Sequence, residues 1–162
     1  MLCISVEEFL TWKKKQLSKG GDQQSFSVLL DCIGGLSSSD LSLISINPEG
    51  NLHLKKNLQF LESIWDEHLL KSCPIQYLCG ITFWRDLKLK VTNKVLIPRP
   101  ETELIVDIVF NIFLKKSEKL FFAELGTGSG AISIALALAY PLWDGIATVS
   151  YTHLTLPTTL VV

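Results

Sequence analysis

The chain has 162 residues, 48% of them hydrophobic and 19% charged, so it can bury a core and is not a disordered chain. Its net charge of −1 leaves no basic surplus for nucleic acid and no polybasic tract for a membrane surface. We therefore expect a cytoplasmic protein without direct nucleic-acid or membrane contacts, since no secretory signal follows Met1 and no apolar run reaches the roughly 18 residues of a span.

The cysteines and histidines do not indicate a metal site. The four cysteines form no C-x-x-C pair, and His53, His68 and His153 add no metal-ligand spacing. We expect reduced thiols that are buried or incidental, as is usual for cysteines in the cytosol.

The first 72 residues predict a small all-helical bundle. Ser5 and Glu8 have the spacing of a capping box, and Gly20-Gly21 would end the helix that they begin. Apolar residues at helical spacing predict the helices that follow. These cover residues 23–36, a short segment after the cap at 37–40, and about Leu52 to Ser72.

The composition changes at Cys73-Pro74, where short strand-like runs replace the helical pattern. Residues 81–84 and 87–91 are joined at Arg85-Asp86, and the second run alternates apolar and basic residues. This alternation is typical of a half-exposed strand. We predict a β-hairpin that links the bundle to the next unit.

A proline-rich segment follows at Leu96–Glu103. Its two prolines exclude a helix up to Pro100, which suits the first position of a helix, and Glu101 and Glu103 then lie in the first turn. We predict a helix here. Its buried face is expected to consist of Leu104, Ile105, Ile108, Ile112 and Phe113.

The most informative stretch is residues 120–130. A short apolar run reaches Glu124, and glycines then occupy every second position. Residues 131–139 read as a helix. Strand, glycine loop and helix form the opening unit of a doubly wound, nucleotide-binding α/β sheet.

The glycine spacing bears on which ligand this loop would take. A dinucleotide fingerprint is G-x-G-x-x-G, whereas Gly126, Gly128 and Gly130 give G-x-G-x-G, with Glu124 two residues before the first glycine. A carboxylate there would repel a pyrophosphate but suits a cationic ligand such as S-adenosylmethionine. A glycine-rich turn without ligand and a dinucleotide site of unusual spacing stay open as alternatives.

Three segments, in their order and spacing, resemble those of one enzyme family. They are Pro74–Gly80 with Phe83-Trp84, Leu96–Glu103, and Glu124–Ile132. The family is that of the HemK-type enzymes, also called PrmC, the N5-glutamine methyltransferases of peptide chain release factors. The resemblance covers about residues 1–148, and its Pro-Arg-Pro-Glu segment is far more specific than the glycine loop.

The resemblance implies an α/β protein with a small helical bundle, a hairpin linker and the start of a Rossmann-like class I methyltransferase domain. It places a substrate-recognition domain at 1–72 and the linker at 73–98. The first part of the S-adenosylmethionine-binding domain would then span 99–148.

The resemblance also implies how S-adenosylmethionine is held. The glycine loop would contact its methionine end, and the segment from Arg99 to Glu103 would close over the site. The predicted cofactor-binding residues are Glu124, Gly126, Thr127, Gly128, Ser129, Gly130, Arg99, Pro100 and Glu101. The alternative for Arg99 and Glu101 is a solvated ion pair at a helix start.

In this family a methyl group passes from S-adenosylmethionine to the side-chain amide of the glutamine in a Gly-Gly-Gln loop. An amide nitrogen is a poor nucleophile because its lone pair is delocalised into the carbonyl. An Asn-Pro-Pro-Tyr segment accepts hydrogen bonds from the amide and orients it for in-line attack. The expected partners are therefore peptide chain release factors.

Two signals of the family are absent from this sequence. No Asn-Pro-Pro-Tyr occurs, so no catalytic residue is assigned, and the only Asn-Pro is Asn47-Pro48 in the helical region. An acid that holds the ribose is expected at the end of the next strand, but Val149 occupies that position and Asp144 precedes the strand. We expect this chain to be inactive by itself, with half of a cofactor site.

The segment from Val149 to Val162 does not continue the strand–helix pattern. It contains no acid or lysine and has four threonines. Its first six residues can be encoded by a transposon end used in sequencing libraries, so we predict a C-terminally truncated protein with a non-native tail after about Thr148. We assign no role to His153 or Pro157; a genomic reading frame that ends at Val162 would contradict this prediction.

Two functions of other classes stay open on the sequence. One is a dinucleotide-dependent oxidoreductase, against which the shortened glycine spacing and Glu124 argue. The other is a helical interaction module that binds a partner without catalysis.

Overall fold

The computed structural model describes residues 2–46, 50–113, 119–149 and 158–161. The chain is a mixed α/β protein that divides into two compact units, Met1–Ile81 and Thr82–Val162. Each unit has its own hydrophobic core.

The first unit contains five α-helices and one small sheet among its described residues. The helices are α1 (Val6–Ser18), α2 (Gln23–Leu29), α3 (Ser38–Ile46), α4 (Leu58–Lys71) and α5 (Ile75–Cys79). The predicted cap of α1 is confirmed, because the Ser5 hydroxyl accepts a hydrogen bond from the backbone N–H of Glu8 at 3.1 Å.

The expectation of an all-helical bundle is wrong at two places that pair with each other. Strand β1 (Leu2–Ser5) runs antiparallel to β2 (Asn51–Leu54). In β2 the leucines are buried and the residues between them are exposed, which is the period of a strand. The predicted helix from Leu52 therefore begins only at Leu58, where the Asn57 side chain accepts from the N–H of Phe60 at 2.8 Å.

The predicted helix over 23–36 is shorter and changes its pitch. α2 continues as a π-helical turn, Leu30–Gly34, which ends at Gly35 in the left-handed conformation with φ of 78°. A Cβ atom at Gly35 would lie 2.7 Å from the side chain of Lys55, so both the dihedral angle and the space require glycine. The sequence pattern could not separate a π-turn from a regular helix, because both bury the same apolar run.

The core of the first unit centres on Trp65 of α4, which is fully buried. Its ring contacts Phe26 edge-to-face, with centroids 4.8 Å apart and planes at 89°. Its indole N–H donates to the backbone carbonyl of Gln16 at 3.2 Å, so the buried donor is satisfied. This residue connects α4 to both α1 and α2.

Asp22 caps α2, and this cap depends on pH. Its carboxylate accepts from the backbone N–H of Ser25 at 2.8 Å and from the Ser25 hydroxyl at 2.7 Å. These bonds, the backbone one most, hold the pKa of Asp22 below its ordinary value. Because the folded-state pKa is lowered, the stabilisation is present above about pH 4 and is lost as the pH falls through the folded-state pKa.

Substitution Asp22→Ala is therefore expected to lower the free energy of unfolding by about 1 kcal/mol at neutral pH. The difference from the unmutated chain should be smaller at a second pH below the ordinary aspartate pKa of about 3.9, because protonation removes the charged part of the cap while a neutral carboxyl oxygen can still accept a hydrogen bond. Urea titrations at the two pH values measure this, with Asp22→Asn as a control that keeps a neutral cap. An equal loss for Asp22→Ala at both values would contradict the charged-cap explanation.

The second unit begins with the predicted hairpin, which is confirmed. Strands β3 (Ile81–Trp84) and β4 (Leu87–Lys90) are hydrogen-bonded neighbours joined by two residues. Arg85 takes a positive φ of 49° in this turn. Its guanidinium donates to Asp107 at 2.7 Å and to the carbonyl of Glu103 at 3.3 Å, which ties the hairpin turn to the following helix.

A 3₁₀ turn (Pro100–Thr102) and α6 (Glu103–Ile112) follow, and the predicted buried face of α6 is largely wrong. Leu104, Ile105, Ile108 and Ile112 are exposed, whereas Val106 is fully buried and Val109, Phe110 and Phe113 pack beside it. Of the five predicted core residues, only Phe113 contacts the core. The helix is apolar on both faces, so its periodicity could not indicate which face packs inward.

The predicted strand, loop and helix are confirmed as β5 (Phe121–Leu125), a glycine loop and α7 (Ala131–Ala139). β6 (Asp144–Val149) returns parallel to β5, in a register that places Leu125 opposite Thr148. β7 (Thr158–Val161) pairs antiparallel with β6. The predicted non-native tail stays a prediction, and residues 150–157 and 162 lie outside the described residues.

Membrane-spanning length is not reached by any single helix of the described chain. Two helical segments, Gln23–Gly34 and Ser38–Ile44, have the length and apolar composition of a membrane span only when they are counted together, and the chain bends by 106° between them. Phe26, Leu29 and Leu30 of this pair are fully buried in the core of the first unit.

Candidate functional site

The glycine loop lies between the carboxyl end of β5 and the first turn of α7. Gly126, Gly128 and Gly130 all have positive φ, at 77°, 58° and 80°. A Cβ atom at Gly126 or Gly128 would meet no atom within 4 Å, so these positions need glycine for backbone conformation and not for internal space. The open space on this side of the loop is available to a ligand.

Glu124 is held by the loop and the helix that follow it. Its Oε2 atom accepts from the Thr127 hydroxyl at 2.9 Å, from the backbone N–H of Ser133 at 3.0 Å and from the Ser133 hydroxyl. Ser133 is the third residue of α7 and is fully buried. The carboxylate therefore caps the helix, whose N-terminal dipole favours an anion. Oε1 has no hydrogen-bond partner among the residues that the structure describes.

Two amides of the loop are already used by the protein. The N–H groups of Gly126 and Thr127 both donate to the carbonyl of Thr148, at 2.8 Å and 2.9 Å, and so fix the loop to β6. Within the described chain, the amides of Gly128 and Ser129 have no protein acceptor. These two donors remain for a ligand.

The backbone of the proline-rich segment is held by a hydrogen bond from a tryptophan. Trp84 is buried, and its indole N–H donates to the carbonyl of Arg99 at 3.0 Å. The same carbonyl accepts from the N–H of Thr102 at 3.1 Å, which closes the 3₁₀ turn. These bonds hold the backbone at Arg99 while its side chain stays exposed.

The proline-rich segment and the glycine loop line one cleft of about 200 Å³ in the second unit. Ligand pockets that enclose a drug-sized molecule usually measure about 300–1,000 Å³, so these residues form only part of such an enclosure. The cleft is lined by Leu96, Pro98, Arg99, Thr102, Glu124, Gly126, Thr127, Gly128, Ser129, Ala131 and Ile132.

The structure brings together six of the nine residues predicted to bind the cofactor. Arg99, Glu124, Gly126, Thr127, Gly128 and Ser129 line the cleft, whereas Pro100, Glu101 and Gly130 do not. Thr127 is buried and its hydroxyl is engaged by Glu124. Arg99 and Glu101 do not form the ion pair that was the alternative for them.

Sequence reasoning did not assign roles in the site to Ser133, Trp84 and Thr148. Ser133 is the only polar side chain of α7, Ala131–Ala139, and that isolation in an apolar helix is the signal that could have found it. Trp84 and Thr148 act through hydrogen bonds to backbone atoms of distant residues. No local pattern in the sequence predicts such contacts.

At the end of β6 the expected acid is absent. Val149, which is buried, occupies the carboxyl end of this strand next to the loop. Asp144 starts the strand at the opposite end. The structure also shows no cluster of three or more His, Cys, Asp or Glu side chains in its described part that could hold a metal ion.

Comparison with known proteins shows consistent similarity to one enzyme. The chain is 45% identical over 149 residues to "Release factor glutamine methyltransferase" of Prochlorococcus marinus, an alignment that covers 89% of this chain and 50% of that protein. It is 42% identical over 121 residues to the protein of the same name from Coxiella burnetii, covering 75% of this chain and 42% of the relative. The protein of that name from Thermosynechococcus vestitus is 41% identical over 107 residues, covering 66% and 36%.

No family model matches the chain. The chain spans about half the length of the curated relatives it matches. The alignment with the Prochlorococcus relative covers 149 residues, more than either unit contains, so the similarity extends into both units. The glycine loop after Glu124 and the proline-rich segment line one cleft, and the sequence similarity extends over most of the chain. The chain therefore belongs to the release factor glutamine methyltransferase family.

Proposed function

We propose that this chain carries the cofactor-binding wall of an S-adenosylmethionine-dependent methyltransferase that modifies a glutamine side-chain amide in peptide chain release factors. The second unit would then be the start of a Rossmann-like class I methyltransferase domain. The parallel pair β5 and β6, connected through α7, supports this assignment.

The observation that carries the proposal is the fixed carboxylate of Glu124. One oxygen is bound by three donors of the loop and helix, and the residue lines the cleft together with the open faces of Gly126 and Gly128. A carboxylate held in this way offers negative charge at low reorganisation cost. It suits a cationic ligand and opposes a pyrophosphate.

The residues present fit S-adenosylmethionine in the chemistry of their donors and acceptors. Glu124 would face its positive charge, the amides of Gly128 and Ser129 would bind its carboxylate, and the exposed Arg99 would add an electrostatic contact. When bound, this cofactor supplies an electrophilic methyl group on a sulfonium. The chain's own residues would bind and orient the cofactor and exclude water from one side of it.

Methyl transfer to a glutamine amide would need residues that this sequence does not contain. No Asn-Pro-Pro-Tyr segment occurs to hold the substrate amide, and Val149 offers no carboxylate to a ribose. We therefore expect cofactor binding without methyl transfer. The dinucleotide-dependent oxidoreductase and the non-catalytic interaction module are not favoured, because the matched relatives are named methyltransferases.

Equilibrium dialysis of the chain with tritiated S-adenosylmethionine tests the proposal. We expect saturable binding that excess NADH does not displace. Substitution Gly128→Ala should weaken it at least about tenfold, since the new methyl group enters the cleft at a positive φ. Gly80→Ala is the matched control, because Gly80 has a φ of 70° and open space but lies outside the cleft.

If excess NADH displaced the bound S-adenosylmethionine, this result would contradict the proposed choice of cofactor. No binding of S-adenosylmethionine to the folded chain would contradict the site itself. The proposed substrate is tested separately with a Gly-Gly-Gln peptide and a full-length relative, such as the Prochlorococcus protein. Methylation by the relative and none by this chain is the expected result.

A further inference from the structure

Two adjacent residues of the hairpin hold the proline-rich segment at both ends of its 3₁₀ turn, Pro100–Thr102. Trp84, the last residue of β3, donates its indole N–H to the carbonyl of Arg99, directly before the turn, at 3.0 Å. Arg85 donates its backbone N–H to Oε1 of Glu103 at 3.4 Å and its guanidinium to the carbonyl of the same residue at 3.3 Å. Glu103 directly follows the turn, so the hairpin fixes the backbone on either side of it.

The bond from Trp84 connects the segment to the core of the second unit. The Arg99 carbonyl has two lone pairs, and it accepts from the indole and from the N–H of Thr102 at 3.1 Å. The bond from Thr102 lies within the segment, whereas the bond from Trp84 comes from another element. Because only 2% of the Trp84 surface is exposed, its packed ring cannot move without disturbing the core.

The glycine-loop side of the cleft rests on the same core. Ala131, the first residue of α7, is buried and lines the cleft. It belongs to one hydrophobic cluster with Trp84 and with Val106 of α6. The core that holds the proline-rich segment through Trp84 therefore also supports the helix that follows the glycine loop.

We propose that Trp84 is a positioning residue for ligand binding, which fixes the proline-rich segment relative to the glycine loop and so preforms the cleft. Trp84 does not line the cleft and acts through Arg99, which does. Without this bond a ligand would have to order the segment as it binds, and that ordering lowers affinity. The inference rests on the proposed function, because S-adenosylmethionine is the ligand used to test it.

Substitution Trp84→Phe tests this role, since it keeps an aromatic ring in the core and removes the N–H donor. Trp143→Phe is the matched control. Trp143 belongs to the same cluster and is 9% exposed, but it does not line the cleft. Its indole nitrogen has no hydrogen-bond partner among the residues that the structure describes. Both variants lose an indole from one core, and only Trp84→Phe loses a bond to the proline-rich segment.

Equilibrium dialysis with S-adenosylmethionine is carried out on both variants where circular dichroism shows them to be folded. We expect Trp84→Phe to bind about fivefold more weakly than the unmutated chain, the effect of one lost hydrogen bond, and Trp143→Phe to bind within about twofold of it. Equal affinities for the two variants would overturn the inference. No binding by the unmutated chain would instead contradict the proposed function.

Hydrogen exchange without ligand tests the positioning of the segment separately from binding. The amides of residues 99–103 should exchange faster in Trp84→Phe than in Trp143→Phe, because the segment opens more often once its bond to the core is lost. A merely destabilised core would raise exchange throughout the second unit and to a similar extent in both variants. That result would overturn the inference whether or not the chain binds S-adenosylmethionine.

Nuclear magnetic resonance of the unmutated chain decides the question if Trp84→Phe does not fold. Addition of S-adenosylmethionine should shift the indole N–H signal of Trp84, because its acceptor belongs to a residue that lines the cleft. The indole signal of Trp143 should stay in place. Saturable binding that leaves the Trp84 signal unmoved would contradict a positioning role.

Discussion

Replacement of Trp65 by alanine is expected to lower the free energy of unfolding of the first unit by about 3–5 kcal/mol. The side chain is fully buried, and its removal leaves a cavity between α1, α2 and α4. It also removes the edge-to-face contact with Phe26 and one of the two donors to the carbonyl of Gln16, which keeps the backbone N–H of Lys19 at 3.1 Å. Urea unfolding followed by circular dichroism measures the loss.

Phe60→Ala is the matched control for this substitution. Phe60 lies on the same helix, α4, but 43% of its surface is exposed. Its truncation removes a ring of similar kind without opening a cavity in the core, so we expect a loss of at most about 1 kcal/mol. Similar losses for the two variants would show that Trp65 is not the centre of the core.

Substitution Glu124→Ala is expected to destabilise the second unit by about 2–4 kcal/mol. The change removes the cap of α7 and leaves the fully buried hydroxyl of Ser133 and the hydroxyl of Thr127 without their acceptor. The glycine loop loses its connection to the helix at the same time. Urea unfolding followed by circular dichroism measures this effect.

Glu124→Gln separates the structural role of this residue from the proposed binding role. The amide oxygen still accepts hydrogen bonds, so we expect a stability loss of only about 1 kcal/mol. The negative charge is gone, and binding of S-adenosylmethionine should weaken by at least about tenfold. If Glu124→Gln bound the cofactor as tightly as the unmutated chain, Glu124 would be a helix cap alone.

The local elements of the site were predictable because short-range rules govern them. An apolar run before Glu124, alternating glycines and the helix formers after Gly130 predict β5, the loop and α7. The dihedral angles confirm why: each of the three glycines has a positive φ that other residues rarely adopt. The cap at Ser5 and the hairpin turn at Arg85-Asp86 follow from similarly local chemistry.

The partners of these elements depend on residues distant in the sequence and could not be predicted from local patterns. α6 is apolar on two faces, and only packing selects Val106 for the core while Ile108 remains exposed. Likewise, Leu52 and Leu54 become a strand because β1 is available to pair with them.

The sequence by itself therefore determined the strand–loop–helix order, the glycine conformations and the family, since these depend on dihedral preferences and on residues that are neighbours in the chain. Only the tertiary structure decided that Ser133 holds Glu124 and that Trp84 holds the backbone of Arg99. Each of these contacts joins residues from separate elements. Their formation depends on how the chain folds back on itself, which a one-dimensional pattern does not encode.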